Sequence, residues 1–195
     1  MKQTEITVQV FEEYEDIKKK LVDVGFELLE EFEVNDYYFS RFNKEQLNTM
    51  GYLDIMNNSI IVRKFFDEAG VIDQKIVFKK KELDSLGNVI WEEKTQTKVY
   101  NAEDVVSVLK MAGICLWCKM ENHVYTYQKN NFKFDVHCVK DLGVFIECEE
   151  NDTIKELSCE QKFEYLTQQV KGLNLKIGDN FSCKKVFMMF KLNNK

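Results

Sequence analysis

The sequence contains no proline and only eight glycines in its 195 residues. Segments that link domains are usually rich in proline, glycine or serine, and no such stretch is present. A chain of this length can bury one sizeable core but is short for two. We therefore predict a single domain that spans residues 1–195.

Long apolar runs and an excess of basic residues are also absent. No run approaches the roughly 18 apolar residues that would cross a bilayer. Residues 1–3 lead into a strand pattern rather than into the apolar core of a signal peptide. The net charge is -6, whereas proteins that coat nucleic acids usually carry a basic surface. We therefore expect a cytoplasmic protein with no membrane or nucleic-acid partner, in which any anion site depends on a local concentration of basic residues.

The six cysteines do not form a paired framework. Cys115 and Cys118 have the C-x-x-C spacing of a zinc site, but no second pair with that spacing follows. Residues three apart in an extended segment point to opposite faces, so both sulfurs could reach one ion only across a turn. We favour reduced, mostly buried thiols over a zinc site.

The most regular alternation of apolar and polar residues lies in residues 132–150, where two strand patterns meet at Leu142-Gly143. In the second pattern Glu147 and Glu149 share one face and stand about 7 Å apart. Like charges at that spacing need solvent, basic partners or a divalent metal to compensate them. The pattern alone therefore leaves open a solvated sheet edge and a metal site.

Further strand and helix patterns fill the rest of the chain. Strands are predicted at Glu5–Phe11, Leu28–Ser40, Ser59–Phe66, Lys75–Glu82, Val89–Val99, Cys115–Gln128 and Phe132–Val139, with a turn at Ser85–Asn88 and a polar connection over residues 41–58. Helices are predicted at Tyr14–Val24, Asn101–Gly113 and Ser158–Gly172, and the tail Asn180–Leu192 fits either a strand end or a short helix. About eight strands joined mostly by hairpins predict an α+β protein built on an antiparallel sheet. Because several strands carry charges opposite their apolar face, we expect closure into a β-barrel with a polar lumen and helices packed outside.

Four strand motifs carry a resemblance to a known family. They are Asp36-Tyr37-Tyr38-Phe39, Ile60-Ile61-Val62-Arg63, Ile76-Val77-Phe78-Lys79 and, after the hairpin turn, Phe145-Ile146-Glu147-Cys148-Glu149. In this order, and with the intervening helices, they resemble the CYTH superfamily, the triphosphate tunnel proteins that include class IV adenylate cyclases and inorganic and thiamine triphosphatases. The similarity extends over nearly the whole chain, and the class IV cyclases come closest. It implies an antiparallel barrel whose lumen binds a triphosphate or polyphosphate.

The resemblance also implies roles for individual residues. Arg63, Lys79 and Lys184 correspond to phosphate-binding positions, Lys184 through the stretch Ser182-Cys183-Lys184. Glu5, Glu147 and Glu149 correspond to ligands of a divalent cation, Mg²⁺ or Mn²⁺. A triphosphate carries about four negative charges, so basic side chains and a metal ion are both needed to hold it.

The N-terminal motif departs from the family pattern. The family's E-x-E-x-K falls on residues 5–9 and keeps only Glu5, because Thr7 and Gln9 replace the second glutamate and the lysine. The family's K-x-R pair falls near residues 120–124, where only His123 is left as a basic candidate. Two functions follow: a class IV adenylate cyclase-like or triphosphatase activity on ATP or another triphosphate, or a catalytically impaired tunnel that binds polyphosphate or another anion without turnover.

Other polar residues receive a structural interpretation from their patterns. We expect Lys80 and Lys81 to extend a solvated face, so that only Lys79 of this run enters the site. His137 alternates with charged residues and is expected at the strand surface. Glu92, Glu93 and Lys94 resemble a degraded form of the family's R-x-E-x-E strand, and with the leading arginine absent they are expected to form cross-strand pairs.

Overall fold

The computed structural model of the protein describes residues 4–83 and 89–194. Its strands are β1 (Glu5–Val10), β2 (Glu27–Ser40), β3 (Ser59–Asp67), β4 (Gly70–Leu83), β5 (Val89–Lys98), β6 (Cys115–Lys129), β7 (Phe132–Val139) and β8 (Gly143–Glu149). Its α-helices are α1 (Tyr14–Asp23), α2 (Lys44–Thr49), α3 (Tyr52–Met56), α4 (Ala102–Met111), α5 (Cys159–Lys171) and α6 (Lys185–Leu192). The predicted α+β class is confirmed, whereas the predicted turn at Ser85–Asn88 lies outside the described residues.

The strands form one eight-stranded sheet in the order β1-β8-β7-β6-β2-β3-β4-β5. Every pair of neighbouring strands is antiparallel. Two pairings join strands that are far apart in sequence, β1 with β8 and β2 with β6. Through the first of these pairings, the motif at the beginning of the chain lies beside the two glutamates of β8.

The predicted closure into a barrel is not confirmed. Strands β1 and β5 are the edges of the sheet, and no ladder joins them in the described residues. The edge of β1 is bonded instead to residues 176–183: the amide of Thr7 donates to the carbonyl of Phe181 at 3.0 Å, and the amide of Cys183 donates to the carbonyl of Thr7 at 2.9 Å. This segment occupies backbone groups that β5 would need for pairing.

Helices pack against both faces of the sheet. On the outer face, a fully buried cluster that includes Ile6 and Ile146 joins α1 and α5 to β1, β7 and β8. Helix α4 lies on the outer face of β3 and β6. On the inner face, a second cluster that includes Ile61 and Phe190 joins α2, α3 and α6 to one end of the sheet. The prediction that the helices lie outside is therefore right for α1, α4 and α5 and wrong for the other three.

Helices α2 and α3 lie within the stretch predicted as a polar connection. Helix α2 begins with a capping box, in which Asn43 accepts a hydrogen bond from the amide of Gln46 and the Gln46 side chain accepts one from the amide of Asn43. Helices of five or six residues show too few turns for a periodic pattern to reveal them. In the described part of the chain, no helix combines the length and the apolar character needed to cross a membrane.

All six cysteines are free thiols in the structure. We expect a thiol titration of the denatured protein, purified without an oxidant and without prior reduction, to count close to six thiols, because none of them is cross-linked. A count below about three would contradict this prediction. The matched control is the same titration after full reduction.

Candidate functional site

One cavity of about 280 Å³ lies on the inner face of the sheet. All eight strands contribute to its wall, so the sheet must curve around it, and residues of α3 and α6 line it as well. The wall contains all the residues predicted to bind phosphate or metal, namely Arg63, Lys79, Lys184, Glu5, Glu147 and Glu149. We therefore take this cavity as the candidate functional site.

Three carboxylates meet at the β1–β8 edge of the cavity. The register places Glu5 opposite Glu149 and Thr7 opposite Glu147. One oxygen atom from each of Glu5, Glu147 and Glu149 lies within 4.8 Å of the others. Grouped carboxylate oxygens are the donors that Mg²⁺ and Mn²⁺ prefer, so the donor set fits the cation that the resemblance implies.

The environment of these carboxylates separates their proton affinities. Burial is the main cause that raises the pKa of Glu5 above its ordinary value, and the charge of Glu147 adds to it, while Lys81 and Lys79 oppose the rise. Burial also acts to raise the pKa of Glu147, but the ion pair with Lys185 holds it well below its ordinary value. A cation shared by the two carboxylates would relieve the repulsion that Glu5 experiences.

A basic wall stands on β4 and β5. The Nζ atom of Lys79 lies 3.0 Å from one carboxylate oxygen of Glu92, and that of Lys81 lies 2.8 Å from the other, so the predicted cross-strand pairing of Glu92 is confirmed. The expectation that Lys81 lies on a solvated face is wrong, because Lys81 is 8% exposed and lines the cavity. Residues two apart share a strand face, so Lys79 and Lys81 point inward while Lys80 is exposed on the other side.

Lys94, for which the sequence predicted only cross-strand pairing, is a further cavity residue. It lies opposite Lys79 in the β4–β5 ladder. Burial, followed by the charges of Lys79 and Arg63, lowers its pKa. Lys94 makes no ion pair with any described residue, so it contributes uncompensated positive charge. Its spacing of two residues from Glu92 was the signal that could have identified it.

Arg63 is held in place by Asp36 on the neighbouring strand. Its Nε atom donates to one carboxylate oxygen and its Nη2 atom to the other, both at 2.6 Å. Burial acts to lower the pKa of Arg63, but the Asp36 carboxylate raises it above its ordinary value. This bidentate pair fixes the plane of the guanidinium and leaves N–H groups that can donate to an anion.

Residues 182–185 bring two adjacent lysines to the cavity. The Nζ atom of Lys184 lies 5.5 Å from the centre of the Tyr52 ring. Lys185 forms an ion pair with Glu147. The sequence analysis identified only Lys184 as a phosphate-binding residue. The signal for Lys185 was its place directly beside Lys184 at the start of an apolar helical stretch.

His137 lies in the cavity wall, so its expected place at the strand surface is wrong. Its side chain is 14% exposed, and its Nε2 atom lies 3.7 Å from a carboxylate oxygen of Glu147, beyond hydrogen-bond length. Burial and then Lys185 lower the pKa of His137 to about 3. The imidazole is therefore neutral at physiological pH.

Two residues of the degenerate motifs occupy different places. Thr7 is 5% exposed and lines the cavity beside the carboxylates. His123 is not among the lining residues; its ring stacks on Tyr125, and its Nε2 atom lies 2.8 Å from a carboxylate oxygen of Glu31. Both departures therefore change the chemistry of the cavity, because Met120, Asn122 and Val124 line it where the resemblance implies a basic pair.

The charges of the cavity are nearly balanced. Six basic and five acidic side chains line it, and the carboxylate of Glu92 between Lys79 and Lys81 adds another negative charge. A triphosphate would bring about four negative charges, which a balanced wall cannot neutralise alone. The arrangement therefore suits an anion that enters with a divalent cation, the cation at the carboxylates and the anion at the basic wall.

Comparison with known proteins identifies the fold. No protein-family model matches the sequence, and no curated protein matches it either. Among solved structures, a Pyrococcus horikoshii protein is 13% identical, with 99% of each chain covered and a TM-score of 0.69. A proposed adenylyl cyclase from Hippeastrum, described as having a dominant triphosphatase activity, is 14% identical, with 99% of this chain and 96% of that chain covered and a TM-score of 0.62.

A proposed adenylate cyclase from Vibrio parahaemolyticus is also similar. It is 13% identical, with 96% of this chain and 98% of that chain covered, and its TM-score is 0.60. At these identities the likeness concerns the fold. It shows that this chain shares the fold of proteins described as proposed adenylate cyclases, which is the fold that the resemblance predicted.

The raised pKa of Glu5 leads to a prediction about stability. A carboxyl group whose pKa is higher in the folded state weakens folding once the pH exceeds its unfolded value, about 4.3. We therefore expect Glu5→Gln to raise the melting temperature at pH 7.5 in the presence of a chelator, by about 2–4 °C for each kcal/mol relieved. The difference should shrink towards zero as the pH falls to about 4.3.

Thermal melts over this pH range measure the effect. Glu93→Gln is the matched control, because the side chain of Glu93 is exposed, and it should leave the melting temperature unchanged. A lower melting temperature for Glu5→Gln than for the parent at pH 7.5 would contradict this prediction. It would show that the negative charge of Glu5 stabilises the folded protein.

Proposed function

We propose that this protein, which has the fold of the class IV adenylate cyclase-like proteins, binds a triphosphate with a divalent cation in its cavity and cleaves it. The observation that carries the proposal is that one cavity contains a cluster of three carboxylates and, on other strands of its wall, lysine and arginine side chains. The described activity of the Hippeastrum protein, which shares the fold, supports a triphosphate as the substrate.

The two sides of the cavity take different roles in this proposal. Glu5, Glu147 and Glu149 hold Mg²⁺ or Mn²⁺, which neutralises charge on the phosphate oxygens when it is bound. Lys79 and Lys94 donate hydrogen bonds to the phosphate groups.

Arg63 and Lys184 are two further donors to phosphate, as the resemblance implies, and Lys81 joins them from the same face of β4. A preformed set of charged donors needs little rearrangement when negative charge develops on the leaving phosphate, so it lowers the barrier to cleavage.

Two reactions are compatible with this arrangement. In hydrolysis, water attacks a terminal phosphorus, the P–O bond to the next phosphate breaks, and the products are phosphate, the shortened polyphosphate and a proton. In cyclisation, the 3′-hydroxyl of ATP attacks the α-phosphorus and pyrophosphate leaves, which gives cyclic AMP. Phosphorus NMR of the products separates the two reactions.

We expect the protein to release phosphate from tripolyphosphate or ATP, or cyclic AMP and pyrophosphate from ATP, in the presence of Mg²⁺ or Mn²⁺. Lys94→Met should weaken the binding of tripolyphosphate about tenfold or more, because a charged hydrogen bond contributes about 1.5–3 kcal/mol. The same variant should raise the melting temperature of the free protein, because it relieves the repulsion from Lys79 and Arg63.

Lys80→Met is the matched control, because Lys80 is exposed on the outward side of β4 and should leave affinity unchanged. Calorimetric titration with tripolyphosphate measures both variants. Equal affinities for the two variants would show that Lys94 does not bind the anion. Absence of binding to the parent would overturn the proposal.

A second candidate function is binding without turnover. The specific observation that favours it is Thr7, a neutral residue that is buried against the carboxylates where the resemblance implies a second glutamate. Gln9, two residues further along the same strand, stands where the resemblance implies a lysine. The loss of one such charged contact typically costs a hundred- to thousand-fold in rate, about 2.7–4 kcal/mol.

Under this candidate, tripolyphosphate binds to the parent with micromolar or better affinity, and turnover is barely measurable. Thr7→Glu combined with Gln9→Lys should then restore phosphate release. The control is the same double change in a Glu147→Gln, Glu149→Gln background, which should stay inactive. Robust turnover by the unmodified protein would exclude this candidate and support the first.

A further inference from the structure

The part of the cavity wall formed by β2 and β6 contains no lysine or arginine among the described residues that line it. The ladders place Phe32 opposite Val124, and Val34 opposite Phe65. These four side chains therefore form one continuous apolar patch. Phe32 and Phe65 are only partly buried, and their ring centres lie 6.0 Å apart. Such a patch does not suit phosphate groups, but accessible aromatic rings can bind the flat face of another ring.

Two polar side chains with unpaired atoms border this patch. Asn122 lies opposite Val34 and is 6% exposed, and its Oδ1 atom has no hydrogen-bond partner within the described residues. His137 lies opposite Val124, and neither of its ring nitrogens has a partner in the same part of the chain. Buried polar groups are normally hydrogen-bonded, so these atoms are available to a ligand or to water.

The unpaired atom of Asn122 selects against a phosphate as its partner. A carboxamide oxygen accepts hydrogen bonds, and phosphate oxygens are acceptors as well. The neutral imidazole of His137 offers one donor and one acceptor. A group that satisfies both side chains is uncharged and presents an N–H donor beside an acceptor, as the amino-bearing edge of adenine does.

We propose that Asn122, His137 and the apolar patch form a subsite for an amino-bearing base, through which the cavity prefers a nucleoside triphosphate to inorganic tripolyphosphate. This inference rests on the proposed function, because the phosphate groups of the same ligand bind to the basic wall. Arg63 is two residues from Phe65 on the same face of β3, so that wall begins directly beside the patch. The amino group of the base donates to Oδ1 of Asn122, and the ring stacks on the accessible aromatic side chains.

Three variants separate this subsite from the rest of the sheet. Asn122→Leu removes the acceptor and keeps nearly the same volume, and His137→Leu removes both ring nitrogens. Asn35→Leu is the matched control, because Asn35 follows Val34 on β2, points to the outer face and is not part of the cavity wall. Melting curves verify that the variants fold, and Asn122→Leu should melt no lower than the parent, because it removes an unpaired buried oxygen.

The experiment is calorimetric titration of the full-length protein in the presence of Mg²⁺. The three probes carry methylene groups in place of the bridging oxygens, so that neither hydrolysis nor cyclisation occurs. They are the analogues of ATP, of tripolyphosphate, and of purine riboside triphosphate, whose base lacks the amino group.

The parent and Asn35→Leu should bind the ATP analogue about tenfold more tightly than either of the other probes, because only adenine satisfies the unpaired acceptor. In Asn122→Leu and His137→Leu this affinity should fall about tenfold, whereas the affinity for the tripolyphosphate analogue should stay unchanged.

Equal affinities of the parent for the ATP and tripolyphosphate analogues would overturn the inference and leave the proposed function intact. The inference also fails if the purine riboside analogue binds as tightly as the ATP analogue, or if either variant inside the cavity keeps the preference of the parent. Absence of binding of all three probes would overturn the proposed function as well.

Discussion

The burial of charge on the inner face of the sheet is the constraint on which the rest of the structure depends. A protein interior disfavours isolated charges strongly, so each charged group in the cavity needs a partner, a proton or solvent. Antiparallel register supplies much of the pairing, because it sets Asp36 opposite Arg63 and Lys81 opposite Glu92. Glu5 lies beside the charge of Glu147, and Lys94 lies beside those of Lys79 and Arg63, and a metal–anion complex would relieve both repulsions.

The distribution of charge along the sheet gives the cavity a polarity. Most acidic side chains of the wall come from β1, β7 and β8 at one edge, and most basic side chains come from β3, β4 and β5 at the other. Curvature brings these edges within electrostatic reach, as the effect of Lys79 and Lys81 on Glu5 shows. The sheet therefore does not need a β1–β5 ladder to place opposite charges across one space.

Much of this site could be read from sequence because strands alternate strictly. Because side chains alternate between the two faces of a strand, Glu147 and Glu149 could be placed on one face from the sequence alone. The same rule applied to Lys79-Lys80-Lys81 separates the inward lysines from the outward one. The error at Lys81 came from treating a run of like charges as one face. His137 was misassigned for a related reason, since alternation shows which residues share a face but not which face is enclosed. Closure failed as a prediction because hydrophobic patterning carries no information about whether residues 176–183 or β5 would bond to β1.

The site combines residues that lie far apart along the chain. Glu5 meets Glu149 across the β1–β8 ladder, and the segment that carries Lys184 and Lys185 is bonded to Thr7. Contacts between residues separated by more than a hundred positions form late in folding, because the entropy of closing a long loop must be lost before the contacts form. Residues 27–139 can pair into hairpins and the β2–β6 ladder before β1 joins the sheet. During synthesis, the cavity therefore exists only after residues 176–185 have left the ribosome, and a nascent chain stalled before that point would hold most of its sheet without a complete binding site.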